Sequence, residues 1–415
     1  MATILAYTTP AMGHLFPMCA LLSELHDRGH DIALRTLTAG VDTGLRLGFA
    51  TEAVDGRIEA IALDDADAPN PEVALKRALR ALAERAAFEA ADLAAAVAKE
   101  RPDVVIVDAN CWGAAAGAEA GELPWLSFWP FIPYLRSRGT PPWGRGLRPM
   151  PGLAGRVRDA VMRPRTNRLF NDTMVGPLNR VRARLGLAPI SSVDDHGQRA
   201  PLKLVATAQP FDYAHPDWDD SIVMIGACVF DPPEATPDWL AAIDRPIVLV
   251  STSSERQRDF HVARTAIDAL SDEPVHVVVT FPAGVPPSFT TQSNVTICQF
   301  VPHGLVLDRA VCAVTHAGMG TTQRALARGV PVCVVPHGRD QFEVARRVEI
   351  AACGVRLLSE DLTPNELRDG VRRAMTMTEG ASRVAAGYSA TGGTAHGADL
   401  IEQRLLNPPS ALDNR

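Results

Sequence analysis

The sequence predicts an α/β protein built from two doubly wound parallel sheets that face each other across a cleft. Three observations carry that expectation. Short, continuously apolar runs alternate with stretches of helical spacing, as strands covered on both faces by helices do. The alternation occurs twice, and a Pro-rich acidic stretch, DPPEATPDW (231–239), separates the two series as an inter-domain linker would. The chain has 415 residues, more than one ordinary core accommodates and enough for two domains of about 200.

In the first series TILAYT (3–8) reads as a strand, PAMGHLFP as a turn, MCALLSELHDRGH as a helix stopped at Gly29, and DIALRT as the next strand. Residues 72–100 are helical up to the break at Pro102. DVVIVD (103–108), PWLSFW (124–129) and LKLVAT (202–207) follow as strands, with a helix from near Trp112. The second series starts at PIVLVSTSS (246–254) and continues through the strands VHVVVT, VTICQF, CAVTH and PVCVVP. Residues 364–379 and 380–405 read as helical, and the tail after Asn407 as frayed. These elements divide the chain into a first domain over 1–212, a linker over 213–237 and a second domain over 238–385. A C-terminal helix over 386–407 is expected to pack back on the first domain. Residues 136–168 hold nine arginines and one acidic residue among prolines and glycines. They read as a solvated loop with short helices, as a cover over a substrate cleft, or as both.

Composition narrows the function classes. Hydrophobic residues make up 47% and charged residues 21%, as in globular proteins. A net charge of −7 disfavours non-specific nucleic-acid binding. The seven cysteines are scattered, odd in number and never spaced Cys-x-x-Cys, which fits neither a disulfide framework nor a zinc knuckle. The expected compartment is the reducing cytoplasm. The start MATILAYTTP lacks the pattern of a signal peptide, and no apolar run reaches the length of a membrane span, so no stable membrane association is expected. The expected assembly is a monomer or homodimer.

The second half concentrates residues of ligand-binding type. His316 ends the strand CAVTH, AGMG follows, and Thr321 opens a helix closed by Gly329. Glycines beside a helix N-terminus let backbone N–H groups approach an anion, and a histidine at the strand end can add a donor. The alternative is a tight βα turn with a core histidine. Asp340 and Gln341 follow the strand PVCVVP. A carboxylate and an amide suit sugar hydroxyls; Asp340 also suits a helix N-cap. In QFVPH (299–303), Phe300 can stack on a base whose edge the Val301 backbone reads, or Phe300 is core. The hydroxyls and amides of STSSER (251–256) face the same sheet edge, or form a turn that caps a helix.

Together, His316-x-Gly318-x-Gly320-Thr321, Ala325-Leu326, Gly329-Val330-Pro331, Pro336 and Asp340-Gln341 resemble the donor motif of nucleotide-sugar glycosyltransferases of the GT-B fold, family 1. The wording GMGTTQRALARGVPVCVVPHGRDQFEVARRV is similar to actinobacterial natural-product glycosyltransferases, enediyne- and macrocycle-modifying ones included. The resemblance extends over nearly the whole chain. It implies that His316 binds the β-phosphate, that Gly320 and Thr321 hold phosphate through their backbones, and that Ser253 and Ser254 face the diphosphate. It likewise implies that Phe300 and Val301 sandwich and read a pyrimidine, and that Asp340 and Gln341 bind the sugar. Arg324 stands where the family often has a glutamate that holds the ribose hydroxyls. An arginine cannot accept those hydrogen bonds, which leans towards a dTDP-sugar and leaves UDP-sugars open. Gly338, where plant relatives often carry a large aromatic, leaves the sugar pocket unspecified.

In the first half GHLFP (13–17) resembles the family's catalytic-histidine loop. Parallel strand ends put His14 and Asp108 on one rim of the sheet. The resemblance implies that His14 takes the proton of an acceptor hydroxyl, worth about 10²–10⁴ in rate, while Asp108 orients its ring. It also implies single displacement with inversion at the anomeric carbon, a nucleotide sugar as co-substrate, and neither cofactor nor metal. Met12, Phe16, Trp112, Phe131, Tyr134 and Trp143 are the expected acceptor wall; Phe128 and Trp129 share their character, and several of these must be core. The expected activity is transfer of a hexose from a UDP- or dTDP-sugar to a hydroxyl of a hydrophobic natural product, macrocycle or polyphenol. The alternatives are a non-catalytic sugar-nucleotide-binding auxiliary protein and a nucleotide-sugar epimerase of the same fold.

Overall fold

The computed structural model describes residues 1–254, 259–289, 293–360 and 362–407; Glu255 and Arg256 of the STSSER stretch and the tail beyond Asn407 lie outside them. The first sheet holds β1 (Thr3–Tyr7), β2 (Asp31–Thr36), β3 (Ala50–Ala53), β4 (Val104–Asp108), β5 (Trp125–Trp129), β6 (Lys203–Val205) and β7 (Ile222–Met224). The second holds β8 (Ile247–Ser251), β9 (His276–Thr280), β10 (Val295–Cys298), β11 (Ala310–Thr315), β12 (Val332–Val334) and β13 (Gly354–Arg356). Their orders are β3-β2-β1-β4-β5-β6-β7 and β10-β9-β8-β11-β12-β13, and every pairing is parallel. The central strands are buried on both faces, which is why their sequences are apolar throughout. β3, β7 and β13 sit at or beside sheet edges. They are three or four residues long and only partly buried, and β3 and β13 are too weakly patterned to stand out in the sequence. β7 lies inside the stretch read as a linker and extends the first sheet past residue 212.

The strand order reverses at β1/β4 in the first sheet and at β8/β11 in the second. At such a switch point the loops leaving two neighbouring strands diverge and open a crevice. The helix start after β1 carries His14 and the loop after β4 carries Asn110, and the loops after β8 and β11 carry Ser253 and His316.

The stretch expected to be a loop with short helices is irregular over 136–151 and from Gly152 is one long helix, Gly152–Arg184, which runs through Pro164 and Pro177. Tertiary packing overrides the two prolines. Phe170, Met174, Leu178 and Val181 recur at helical spacing and bury against Leu79, Ala83, Ala86 and Ala90 of the helix Pro71–Glu100. That helix starts with Pro71 in its first turn and the Asn70 side chain accepting from Val73 N at 2.9 Å. It also fixes the site's first rim. Gly113, in the helix Trp112–Ala120, lies so close to the Ala86 carbonyl that any Cβ would collide with it. Through that gap Glu89 Oε2 accepts from Gly113 N at 2.8 Å, capping the helix that follows Asp108.

Buried polar contacts join the two lobes. Glu343 Oε1 accepts from Gly144 N at 2.8 Å and Gly146 N at 2.9 Å, and Arg346 Nε donates to Gly146 O at 2.7 Å. Arg347 pairs with Asp212 at 2.6 Å, and Arg339 with both oxygens of Asp65 at 2.7 and 2.9 Å. The C-terminal stretch is two helices, Thr378–Thr391 and Gly393–Ile401, broken at Gly392, whose φ of +93° favours glycine. The second contributes Ala398, Leu400 and Ile401 to the first sheet's core, and Arg28 holds Asp399 at 2.7 Å and Glu402 at 2.9 Å. No helix among the described residues is long and apolar enough to cross a membrane.

Glu89 makes the fold pH-sensitive. Its burial pushes the carboxyl up to about 8, against the pull of the Gly113 N–H and Arg85. The folded state therefore keeps a proton that the unfolded chain loses above about pH 4.5, so stability falls as pH rises towards 8 and levels off above it. Glu89→Gln removes that slope. Its Tm should gain on wild type by a few degrees between pH 5.5 and 8.5, at roughly 1 °C per kcal/mol for a chain of this length; a constant difference in scanning calorimetry would count against a protonated Glu89.

Candidate active site

A cavity of about 410 Å³ lies between the lobes, with walls drawn from both crevices. Met12, His14, Phe16, Trp112, Phe131, Tyr134 and Trp143 reach it from the first lobe. Ser253, Ser254, Phe300, Val301, His316, Gly318, Gly320, Thr321, Arg324, Asp340 and Gln341 reach it from the second.

On the first rim PAMGHLFP is mostly helical: Met12–Asp27 begins within it and puts His14 in its first turn. His14 Nδ1 lies 2.7 Å from Asp108 Oδ2, and Asp108 is 0% exposed. The other oxygen, Oδ1, accepts from Asn110 N at 2.8 Å. A carboxylate on Nδ1 fixes the tautomer that leaves the Nε2 lone pair towards the cavity. Asn110 Nδ2 lies 3.5 Å from that Nε2, and the Phe131 ring centroid 5.6 Å from the imidazole. Trp112 is 1% exposed, stacked on Tyr134 and His196 at 5.6 and 5.0 Å, so it backs the wall more than it presents a face. Trp143 donates to Ile132 O at 2.9 Å and packs edge-on against Phe170. Phe128 and Trp129 are core residues.

On the second rim the chain turns through Ala317, in the left-handed region at φ +67°, and the helix Met319–Leu326 starts with Gly318 at its N-cap. A Cβ at Gly318 would strike His316 Nε2, so the glycine is what lets the imidazole lie against the helix start. His316 Nδ1 faces Asp259 Oδ2 at 3.5 Å, and the same oxygen accepts from Ser253 N. Phe300 is 46% exposed at the cavity, whereas the Val301 side chain is core. Asp340 occupies the N-cap position of the helix Gln341–Ile350, yet its side chain makes no capping bond. Burial raises its carboxyl above the usual range, while His14 and Arg339 pull the other way, so the two rims feel each other's charge. Gln341 Oε1 accepts from His337 N at 2.8 Å and Gly338 N at 3.1 Å, so that oxygen shapes the loop.

Arg324 donates to Phe230 O at 2.8 Å, faces Asp231 Oδ1 at 3.3 Å and lies 5.9 Å over the Phe16 ring. Asp231, from the linker, also holds Arg328 at 2.9 Å and Gly304 N at 3.1 Å, and it lines the cavity. The linker thus brings a carboxylate to the arginine. Asn110, Asp231, Asp259 and Arg339 were not read from the sequence. Asn110 had a signal, an Asx residue two places after a strand-end aspartate; the others are joined to the site only by long-range folding. Asp65-Ala66-Asp67 has the spacing of a cation-binding pair, but Asp65 is taken by Arg339. Among the described residues no group of three or more His, Cys, Asp or Glu side chains is placed to hold a metal ion.

Comparison with known proteins agrees with this architecture. Residues 264–395 match the family model described as erythromycin biosynthesis protein CIII-like, C-terminal domain. The chain is 30% identical to 4'-demethylrebeccamycin synthase of Lentzea aerocolonigenes, over 97% of this chain and 99% of that protein. It is 26% identical to demethyllactenocin mycarosyltransferase of Streptomyces fradiae, over 98% and 87%. Among solved structures, the glycosyltransferase of kitacinnamycin superposes with a TM-score of 0.77 at 22% identity, over 97% of this chain and 99% of that one. The calicheamicin glycosyltransferase CalG4 gives 0.74 at 21%, over 97% and 98%. The two facing parallel sheets are thus the GT-B fold. The chain belongs to the family 1 glycosyltransferases of that fold, among relatives that include actinobacterial natural-product glycosyltransferases.

Gly318→Ala tests the second rim. The added methyl pushes His316 off the helix start. Calorimetric affinity for UDP and dTDP should fall about tenfold, equivalent to ~1.4 kcal/mol, with the Tm little changed. Unaltered affinity would remove His316 from the nucleotide site.

Proposed function

We propose that this glycosyltransferase moves a hexose from a dTDP- or UDP-sugar to a hydroxyl of a hydrophobic small molecule, with inversion at the anomeric carbon. The observation that carries the reading is the meeting of two unlike rims on one cavity: a His14–Asp108 pair on an apolar wall, and a glycine turn with His316 at a helix start. The acceptor lies against Phe16, Phe131 and Tyr134, its hydroxyl at His14 Nε2. The diphosphate lies at the N-terminus of the helix Met319–Leu326, where backbone N–H groups and the helix dipole favour negative charge. Asp340 and Gln341 face the sugar, and Phe300 stacks on the base.

As the hydroxyl oxygen bonds to the anomeric carbon, its proton passes to His14 Nε2, and Asp108 stabilises the imidazolium. The bond from that carbon to the phosphate oxygen breaks with its electron pair, and the charge that develops on the diphosphate is met by the second rim. The scheme gives no step to a metal ion. Arg324, in place of a glutamate, cannot accept from ribose hydroxyls and leans towards a 2'-deoxyribose donor, while Asp231 beside it brings a carboxylate that can accept them and leaves UDP-sugars open. Seven unbridged cysteines suit a cytoplasmic enzyme.

A mass-spectrometric screen pairing UDP-glucose and dTDP-glucose with phenolic and macrocyclic alcohols tests this. Wild type should add a hexose, faster from dTDP-glucose, and His14→Ala should lower kcat by about 10²–10⁴. Nucleotide binding without product from any pair would favour the auxiliary-protein reading; full activity of His14→Ala would remove the base.

A further inference from the structure

Asn110 leaves β4 two residues after Asp108, and one carboxylate positions both it and His14: Oδ2 faces the imidazole Nδ1 at 2.7 Å and Oδ1 takes Asn110 N at 2.8 Å. The Asn110 side chain lines the cavity with its Nδ2 3.5 Å from His14 Nε2. Because Asp108 fixes the tautomer, Nε2 presents a lone pair, and the amide turns its N–H end towards it. At 3.5 Å the two nitrogens are too far apart for a good hydrogen bond, which runs about 2.7–3.2 Å. A small swing of the amide admits a hydroxyl oxygen that meets both.

We infer that Asn110 is a second catalytic residue on the acceptor rim: its amide N–H holds one lone pair of the acceptor hydroxyl while His14 takes the proton, leaving the other lone pair aimed at the anomeric carbon. The inference rests on His14 being the base. The oxygen–carbon bond forms, the carbon–phosphate-oxygen bond breaks, the proton stays on Nε2, and Asn110 ends bonded to the new ether oxygen. This arrangement selects for oxygen. A hydroxyl has two lone pairs, one for Asn110 and one for carbon. An amine has a single lone pair, which the carbon needs, so the amide N–H is left without a partner as the bond forms.

The test uses the full chain with a phenol and the matched aniline of one aromatic scaffold, each with dTDP-glucose and UDP-glucose. Asn110→Ala keeps its backbone N–H for Asp108. It should lower kcat for the phenol roughly tenfold, the value of one oriented hydrogen bond. The donor KM and the aniline rate should hold, so the aniline-to-phenol ratio rises by the same factor. Asn110→Ser, which retains a shorter donor, should fall between. Equal losses for phenol and aniline, or an unchanged phenol kcat, would overturn the inference while leaving His14 as base. A His14→Ala enzyme as active as wild type would instead bring down the reading beneath it.

Discussion

The active cleft depends on a buried cluster of charges that clasps the two lobes. Arg347 lies between Asp212 at 2.6 Å and Glu343 at 3.1 Å, over the Tyr213 ring at 4.0 Å, and Glu343 spends its other oxygen on the amides of Gly144 and Gly146. All three charged groups are nearly inaccessible to water. Removing them from solvent is costly, and their mutual pairing and hydrogen bonds offset that cost. Burial alone would raise the Asp212 carboxyl, yet Arg347 beside it holds it down to about 2. Gly146 is required at this junction: its φ is +55° and a side chain would strike Phe342 O. The same helix begins at Gln341 with Asp340 at its N-cap, so the clasp that seats the Gly144–Gly146 loop also seats these two cavity-lining residues.

The sheets explain why chemistry gathers there. Each half has its crevice where the strand order reverses, and the clasp turns the two crevices towards one another. One supplies a tautomer-fixed histidine against apolar rings; the other supplies backbone donors, a histidine and a carboxylate. The two sets of groups come from different lobes and meet only at the cavity.

Much of this was legible in the chain. The apolar strands 3–8, 103–108 and 246–251 could be read because burial on both faces demands uninterrupted apolar sequence. The turn after His316 could be read because only glycine serves at Gly318, where the imidazole and a helix start crowd the backbone. The long helix Gly152–Arg184 could not, since its prolines signal a break and only packing of Phe170, Met174, Leu178 and Val181 on a distant helix holds it. Asp340 had two local readings, cap or ligand-facing carboxylate; it takes the cap position without the capping bond and lines the cavity.

By itself the sequence determined what is encoded in periodicity and turn chemistry: two parallel α/β halves, a strand-end His316 before a glycine turn, and His14 and Asp108 on one rim. These follow from short-range rules, because a residue's φ/ψ preference and its exposure along a strand or helix act over a few neighbours. Tertiary structure alone decided which groups meet. It put Asp231 of the linker on Arg324, Arg339 on Asp65, Glu89 under the helix after Asp108, and the Asn110 amide beside His14 Nε2. The charge and hydrogen-bond partners of those side chains come from segments far away in sequence, so their roles exist only once the lobes have closed on each other.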